Sequence, residues 1–389
     1  MKKFSYSTWP SYPNILVNSI SSLFKTGLVN YLIGNNGKSF EKEFSKKMGI
    51  KYSAAVSNGS IALEIALLSL GIKKNDEVIV TSRSYNSSAS SILRVGAKPI
   101  FCDIDSNTFN ICTKSLKSKI TKKTKAILCV HLYGYPCEIF KIKKIIKNSQ
   151  IKIIEDCSQA HGAKIKNKPV GCFGTIGIWS FCYDKIISTG GEGGMISTNS
   201  KTIYSKIWSL KEIGKDYNKF YKNRKSINFP YIHDHVGTNA RMTEVQSLIG
   251  RYQLKNLDSY IRIRNRNALI LSSYLNDIKK INIPVIPKNI THAFYRYTIT
   301  IQSELKNPSN IRNNIIRKII SKKIFCNVGG CPEIYNEKPF NLDLNASKNI
   351  KVANIIGKTS ISFLVDNTIS IKNMNVIGKK IRIILIKSL

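Results

Sequence analysis

The sequence predicts an α/β protein that combines a large domain, built on a mostly parallel sheet, with a smaller α+β domain. Short apolar runs of strand character alternate with helical patterns throughout the first half of the chain. Strands separated by helices at this spacing form a doubly wound sheet. The 389 residues are enough for both units, and strand and helix patterns are mixed from residue 282 onwards. We therefore predict a large domain at 1–255 and a small C-terminal domain at 256–389.

The strands of the large domain follow from short apolar runs. Five such runs predict strands in the first half of the chain: 52–56, 76–81, 99–105, 124–134 and 151–156. Helical patterns lie between most of these strands, and a further strand beginning at Met195 follows a glycine-rich loop. This alternation is the basis for the predicted parallel sheet.

The region after this last strand is mainly helical in pattern. Residues 216–235 are polar and aromatic and predict a long irregular loop. Thr243 and Gln246 suit a capping box that opens a helix ending near Leu254. A separate basic amphipathic helix is predicted at 257–277. The mixed region beyond it contains two strand patterns, at 292–301 and 361–365.

Polar and small residues follow the predicted strands at the edge where ligands bind in sheets of this kind. They are Gly59-Ser60, Tyr85, His131 and Asp156. At Gly59-Ser60 a helix begins, and its free N–H groups form a phosphate seat, although a capping serine alone explains the same pattern. Asp156 closes an apolar strand, where a carboxylate is costly to bury without a cationic partner. A helix cap is an equally common reason for a strand-end aspartate.

The segment 179–195 is the most informative stretch of the chain. It contains Ser180, a lone Lys185 and a run of glycines that leads into Met195. Glycines cluster where the backbone takes positive φ or approaches a ligand closely. A lysine held there out of bulk water is a candidate for Schiff-base chemistry, because desolvation and nearby cations depress its pKa. The alternative is a glycine-rich turn with one solvated lysine.

The charge and the cysteines bear on the class of protein. There are 61 basic and 23 acidic residues, for a net charge of +38, which by itself suggests nucleic acid or an anionic surface. The lysines are scattered along the chain rather than clustered with aromatic residues, so we expect no nucleic-acid partner. The nine cysteines form no CxxC pair or metal-spaced cluster, which predicts reduced, buried thiols and no metal. No apolar run long enough for a membrane span and no signal peptide is present, and we expect a cytoplasmic protein.

Taken together, the ordered residues resemble the DegT–StrS family of nucleotide-sugar aminotransferases, which depend on pyridoxal 5'-phosphate (PLP). The residues that carry the resemblance are Gly59-Ser60, Tyr85, Asp156, Gln159, Ser180, Lys185 and Asn239. Their motifs are Ser57-Asn-Gly-Ser, Glu155-Asp-Cys-Ser-Gln-Ala-His-Gly, Ser180-Phe-x-x-x-Lys185, Gly191-Glu-Gly-Gly-Met and Gly237-Thr-Asn-Ala-Arg-Met-Thr-Glu. Each motif is weak alone, whereas the ordered set covers nearly the whole chain and is specific. The resemblance implies the three-layer fold of PLP transferases.

The resemblance also implies a role for each residue. Lys185 is the lysine that binds the cofactor and then moves a proton as general base. Asp156 pairs with the pyridinium nitrogen of PLP, and Gln159 donates to its phenolic oxygen. Tyr85 stacks on the ring. Gly59, Ser60 and Ser180 hold the phosphate, and Asn239 reaches the phosphate of the other subunit, which implies a homodimer with shared active sites.

The function implied is transfer of an amino group, with glutamate as donor, to a keto group of a nucleotide-linked deoxysugar for surface polysaccharide such as O-antigen. One departure affects the substrate end: Asp366-Asn367 stands where family members usually carry a His-Pro pair. Family members with histidine in place of the lysine are dehydratases or deoxygenases, and Lys185 favours transamination here. Two alternatives are open: PLP-dependent dehydration or elimination on the same fold, and a non-catalytic basic binding or regulatory protein.

Overall fold

A seven-stranded, mostly parallel sheet is the centre of the large domain in the computed structural model, which describes residues 6–222, 231–340 and 349–389. The strands are β1 Tyr52–Val56, β2 Glu77–Thr81, β3 Lys98–Cys102, β4 Thr124–Val130, β5 Lys152–Asp156, β6 Lys164–Ile165, β7 Lys168–Pro169, β8 Ile176–Ser180, β9 Gly194–Thr198, β10 Ile281–Asn282, β11 Ile290–Thr291, β12 Tyr297–Ile301, β13 Cys326–Asn327 and β14 Ser360–Phe363. The large sheet has the order β1-β9-β8-β5-β4-β2-β3, and β9 alone runs antiparallel to its neighbours. The predicted fold class is confirmed.

Helices cover both faces of this sheet and form the outer layers. They are α1 Asn14–Thr26, α2 Asn36–Met48, α3 Gly59–Ser69, α4 Ser87–Arg94, α5 Thr113–Lys119, α6 Ile139–Ile145, α7 Lys201–Lys211, α8 Tyr217–Lys222, α9 Glu244–Leu275, α10 Pro308–Ser321, α11 Val352–Thr359 and α12 Ile371–Ser388. One apolar core joins the sheet to α2, α5, α6 and part of α9. A second core joins the other face to α3, α4 and α7. The large domain is therefore the three-layer arrangement that the resemblance implies.

The C-terminal part has its own sheet and core. Its four strands are antiparallel in the order β10-β12-β14-β13. They pack with α10, α12 and the C-terminal part of α9 around a third apolar core. A separate three-stranded sheet, β11-β6-β7, connects a hairpin of the large domain to this half of the chain.

One element differs from the sequence prediction in a way that matters for the domain boundary. Instead of two helices that meet near residue 255, α9 is a single helix of 32 residues. The predicted capping box is present, because Thr243 accepts from the Gln246 N–H and the Gln246 side chain accepts from the Thr243 N–H. Leu257 and Ile261 belong to the large-domain core, whereas the last three turns pack in the small-domain core. The predicted boundary thus lies within a helix that serves both cores.

Two smaller predictions also need correction. The predicted irregular loop at 216–235 begins with the short helix α8, and its residues 223–230 lie outside the described part of the chain. The predicted strand at 292–301 is shorter, because Phe294 takes a positive φ and regular pairing begins only at Tyr297. None of the helices in the described ranges has the length and apolar character needed to cross a bilayer.

Candidate active site

A cavity of about 750 Å³ lies at the carboxyl edge of the large sheet. The carboxyl ends of parallel strands meet at one edge, and ligands bind there in α/β sheets. Most of the residues predicted for the site line this cavity: Gly59, Ser60, Tyr85, Asp156, Gln159, Ser180 and Lys185. The structure therefore brings together side chains that are up to 126 positions apart in the sequence, from Gly59 to Lys185.

The first turn of α3 forms one wall of the cavity. Asn58 caps this helix by accepting from the Ile61 N–H at 3.0 Å, and its carbonyl accepts from the Ala62 N–H at 3.1 Å. The first N–H groups of a helix have no partner inside it, so those of Gly59 and Ser60 remain available to a ligand. A Cβ at Gly59 would lie only 2.6 Å from the Ser180 Cβ. Glycine is therefore required where α3 meets the end of β8.

Two polar side chains are presented to the cavity from the end of β5. Asp156 is buried, and one of its oxygens accepts from the Ser158 N–H at 2.9 Å. Burial raises the pKa of its carboxyl, and the bonds from Ser158 and the charge of Lys185 only partly offset this effect. Gln159 uses its amide oxygen to accept from the Tyr133 N–H at 2.8 Å. Its amide N–H groups are therefore the part of the side chain that remains for a ligand.

Lys185 is held by an acidic neighbour that the sequence prediction missed. The Lys185 Nζ lies 3.3 Å from Asp184 Oδ1 and 5.0 Å from the centroid of the Tyr295 ring. Burial lowers the pKa of Lys185. The Tyr295 hydroxyl and the Asp184 carboxylate outweigh this effect and raise the pKa above its usual value. The expected depression of this pKa is wrong for the ligand-free chain, because Asp184 supplies an anion where the sequence suggested only cations and desolvation.

The far side of the cavity is contributed by the small domain and by an arginine that sequence reasoning also missed. Tyr295 and Arg296 line it together with Arg83. The Arg83 Nη2 donates to the Tyr133 hydroxyl at 3.0 Å, the Val328 carbonyl at 3.0 Å and the Ser360 hydroxyl at 2.8 Å. These contacts connect the end of β2 to the small domain. The sequence feature that could have identified Arg83 is its position directly after a predicted strand, which it shares with Tyr85.

Two predicted positions do not line the cavity. Asn239 is exposed, and its side-chain oxygen accepts from Arg241 Nη1 at 2.9 Å. Arg241 is in turn held by Glu212, with 2.6 Å between its Nε and a carboxylate oxygen. His131 is fully buried and accepts from the Cys137 N–H at 2.9 Å. His131 therefore contributes to the interior and not to the cavity, although it follows a strand as predicted.

Glu155 occupies the other face of β5 from Asp156. Its carboxylate lies 3.1 Å from the Nε2 of His131 and accepts from the N–H groups of Gly171, Phe173 and Gly174. Burial raises the pKa of Glu155, but the bond from His131 and these N–H groups together lower it. His131, Glu155 and Cys157 lie close enough for a metal ion, but these hydrogen bonds already occupy the imidazole and the carboxylate.

The groups that remain in the cavity match PLP in kind. The cofactor carries a phosphate, an aldehyde, a phenolic oxygen and a pyridine nitrogen. The cavity offers a helix N-terminus with two free N–H groups, a primary amine, an amide donor and a buried carboxylate. The glycine at position 59, which leaves no room for a side chain against Ser180, allows the backbone to approach a phosphate closely. The donor set fits the cofactor.

Comparisons with known proteins agree with this chemistry. The sequence model of the DegT/DnrJ/EryC1/StrS aminotransferase family matches residues 17–382. The GDP-perosamine synthase of Escherichia coli O157:H7 is 37% identical over 306 residues, which are 78% of this chain and 80% of that protein. The crystal structure of an aminotransferase from Psychrobacter cryohalolentis superposes with a TM-score of 0.94 at 36% identity, over 98% of this chain and 99% of the other.

A second solved structure carries the cofactor itself. The E. coli GDP-4-keto-6-deoxy-D-mannose-3-dehydratase, described with bound hydrated PLP, is 25% identical with a TM-score of 0.84, over 97% of this chain and 99% of the other. The predicted family and the predicted cofactor are both confirmed. The chain belongs to the DegT/DnrJ/EryC1/StrS aminotransferase family, and it is a PLP-dependent aminotransferase.

Proposed function

We propose that the protein transfers the amino group of glutamate to a keto group of a nucleotide-linked deoxysugar, in the cytoplasm, for a surface polysaccharide such as O-antigen. As a family member similar to named sugar transaminases, the chain is a sugar-nucleotide aminotransferase. The observation that carries the finer proposal is Lys185 in a cavity whose other donors suit PLP. The cytoplasmic location is supported by nine cysteines, all of them free thiols.

In this proposal each cavity residue has a defined task. PLP supplies an electron sink for the carbon that bears the amino group. Asp156 keeps the pyridine nitrogen of the cofactor protonated, and Gln159 donates to its phenolic oxygen. Gly59, Ser60 and Ser180 bind the phosphate, and Tyr85 covers the ring. Lys185 binds the cofactor and, once released, carries a proton between neighbouring carbon atoms.

A homodimer completes the proposed site. Asn239 lies on an exposed segment outside the cavity of its own chain, and Arg241 and Glu212 fix that segment. Apolar side chains of the N-terminal helix are also exposed, including Ile15 at 69% and Phe24 at 60%. If a second subunit covers this surface, Asn239 of one subunit would reach the phosphate site of the other. The mass of the purified protein in sedimentation equilibrium tests the dimer.

The absorbance spectrum with PLP tests the proposal. We expect a visible band from lysine-bound cofactor that moves to the ultraviolet with glutamate and returns when GDP-4-keto-6-deoxymannose is added. Lys185→Ala is expected to lack the band, whereas Lys123→Ala, at an exposed position outside the cavity, keeps it. A band that does not respond to glutamate would contradict the proposed donor reaction.

The dehydratase interpretation is the second candidate, because one of the similar structures is that of a dehydratase. The product distinguishes the two. An amino sugar formed with one equivalent of 2-oxoglutarate supports transamination, whereas a deoxy sugar without net transfer of nitrogen to the sugar supports dehydration. The alternative of a non-catalytic basic binding or regulatory protein is not favoured, since the family is one of aminotransferases and Lys185 is present.

A further inference from the structure

Asp184 lies at the centre of a small charged cluster in the cavity. Its carboxylate is 3.3 Å from the Lys185 Nζ and 3.7 Å from the Arg296 guanidinium. The Tyr295 hydroxyl donates to the same carboxylate. The Arg296 guanidinium also stacks on the Tyr295 ring, 4.4 Å from its centroid, which fixes both groups against Asp184. The carboxylate is thus oriented from two elements: the loop after β8 and the segment before β12.

The electrostatics of the cluster agree with this geometry. Burial raises the pKa of the Asp184 carboxyl, but Lys185, the Tyr295 hydroxyl and Arg296 together lower it below its usual value. Asp184 is therefore an anion at neutral pH. Its side chain is 27% exposed and that of Lys185 is 16% exposed, so the pair is only partly screened by solvent.

Other ionisable groups also face Lys185. Asp156 lies close enough for Lys185 to lower its pKa. Burial raises the pKa of the Cys182 thiol, which stays protonated. Burial and the charge of Lys185 lower the pKa of His161 to about 3, so its ring is neutral at physiological pH. If Asp156 pairs with the cofactor, Asp184 is the carboxylate that remains beside the amine.

We propose that Asp184 is the positioning residue of Lys185: oriented by Tyr295 and Arg296, it is the counter-ion that holds the free amino group of Lys185 as an ammonium in the cavity. The inference deepens the proposed function and rests on the role given there to Lys185. It assigns to Asp184 a task that the resemblance did not include.

The proton balance shows what this counter-ion does in the reaction. With the cofactor and donor bound, Lys185 as a neutral amine would take the proton when the C–H bond of the donor breaks, and it would become an ammonium. Asp184 stabilises this ammonium without accepting the proton. The ammonium would then return the same proton to a neighbouring carbon atom, so no proton would be gained or lost. The carboxylate favours retention of the proton between the two steps over its loss to water.

The cost of this arrangement is measurable, because a counter-ion that stabilises the ammonium slows every step that needs the neutral amine. The test is the rate at which cofactor-free protein regains the visible band with saturating PLP between pH 7 and pH 9. An opposite charge within 4–6 Å shifts a pKa by about one unit or more, and one unit is tenfold in the fraction of neutral amine. We expect Asp184→Asn to regain the band about tenfold faster than the unaltered protein at a given pH.

Two further variants separate a charge effect from a structural one. Tyr295→Phe removes the hydroxyl that orients Asp184, so we expect a change of the same sign and smaller size, a faster return of the band. Glu192→Gln removes a carboxylate from the same cavity lining, and we expect its rate to stay within about twofold of the unaltered protein. If Asp184→Asn does not fold, as judged by near-ultraviolet circular dichroism, the sign of the Tyr295→Phe effect decides the question.

The outcomes distinguish this inference from the function on which it rests. Absence of a visible band in the unaltered protein contradicts the proposed role of Lys185. A band that returns at the same rate in the unaltered protein and in Asp184→Asn overturns the inference and leaves that role intact. A slower return in Asp184→Asn also overturns it, because that result means that the carboxylate assists attachment.

Discussion

Glu155 and Asp156 are neighbours on one strand, and both are buried carboxylates, yet the structure gives them opposite surroundings. Their side chains alternate across β5. Glu155 accepts from three backbone N–H groups and lies beside His131, whereas Asp156 accepts from the Ser158 N–H and lines the cavity. The pKa of Glu155 is lowered and that of Asp156 is raised.

The difference shows how to distinguish a structural from a functional buried carboxylate. Burial itself raises the pKa of both, so the number of donors decides the outcome. A carboxylate with all its lone pairs occupied has nothing left for a ligand. One that has been desolvated but not fully satisfied retains a favourable interaction for a cationic group, such as a protonated pyridine.

Asp156→Asn tests the functional side of this comparison and should have the largest effect. We expect kcat to fall by about 10²-fold or more, because an amide cannot keep the pyridine nitrogen of the cofactor protonated. We expect no loss of stability. A raised pKa means that the ionised carboxylate is unfavourable in the ligand-free chain, so removing its charge should leave the midpoint of thermal unfolding unchanged or slightly higher. Single-turnover absorbance with glutamate and calorimetry of the cofactor-free protein measure the two effects.

Glu155→Gln tests the structural side, and we expect it to lower the free energy of unfolding by about 3 kcal/mol. The amide brings N–H groups towards the N–H donors of Gly171, Phe173 and Gly174, and the bond with His131 loses its charge. Denaturant unfolding of the cofactor-free protein measures the change. The activity per folded molecule is expected to stay within a few-fold. A loss of activity at unchanged stability would reverse the roles given to the two carboxylates.

The same variant predicts the pH dependence of stability. Because the folded-state pKa of Glu155 lies below its ordinary value of 4.5, its contribution is present above pH 4.5 and is lost as the pH falls through the folded-state pKa. The difference in stability between the unaltered protein and Glu155→Gln should therefore shrink on acidification from pH 6 towards pH 3. A difference independent of pH would show that the charge of Glu155 does not contribute.

Asp103→Asn extends the rule to a third carboxylate and should have the smallest effect. The side chain accepts from the N–H groups of Ile104, Lys351, Val352 and Ala353, at 2.8 to 3.0 Å, and so caps α11. An asparagine keeps one acceptor oxygen, so we expect a loss of about 1 kcal/mol in denaturant unfolding and no change in kcat. A change in kcat without loss of stability would contradict the rule that a carboxylate with all its hydrogen bonds made has a structural role.

Part of the site could be predicted because its residues follow strand ends, which sequence periodicity locates. Asp156 and Gly59-Ser60 are of this kind, whereas Lys185 was singled out by the run of glycines that follows it. Asp184 was not predicted, although it adjoins Lys185, because its orientation depends on Tyr295 and Arg296, more than a hundred residues further along the chain. The hydrogen bonds that the Glu155 carboxylate accepts also come from residues that are distant in the sequence. Sequence shows which residue types are present and not which of their lone pairs are taken.

The fold shows the same limit at α9. The sequence predicted one helix that ends near Leu254 and a separate amphipathic helix at 257–277. The structure keeps one helix and changes its packing partner part-way. No proline or glycine interrupts this stretch after Gly250, so the backbone has no reason to break. The same face stays buried from Leu254 through Leu275, so the helix changes its neighbours without ending.

This continuous helix has a consequence for cooperativity. A helix of 32 residues is about 48 Å long, and its two halves complete different cores. Melting the small-domain core would release the last turns of α9, and the fraying would spread towards the residues that close the large-domain core. The two halves of the chain should therefore unfold in one transition, with coincident signals from tryptophan fluorescence, to which Trp179 and Trp208 of the large domain contribute, and from the far-ultraviolet circular dichroism of the whole chain.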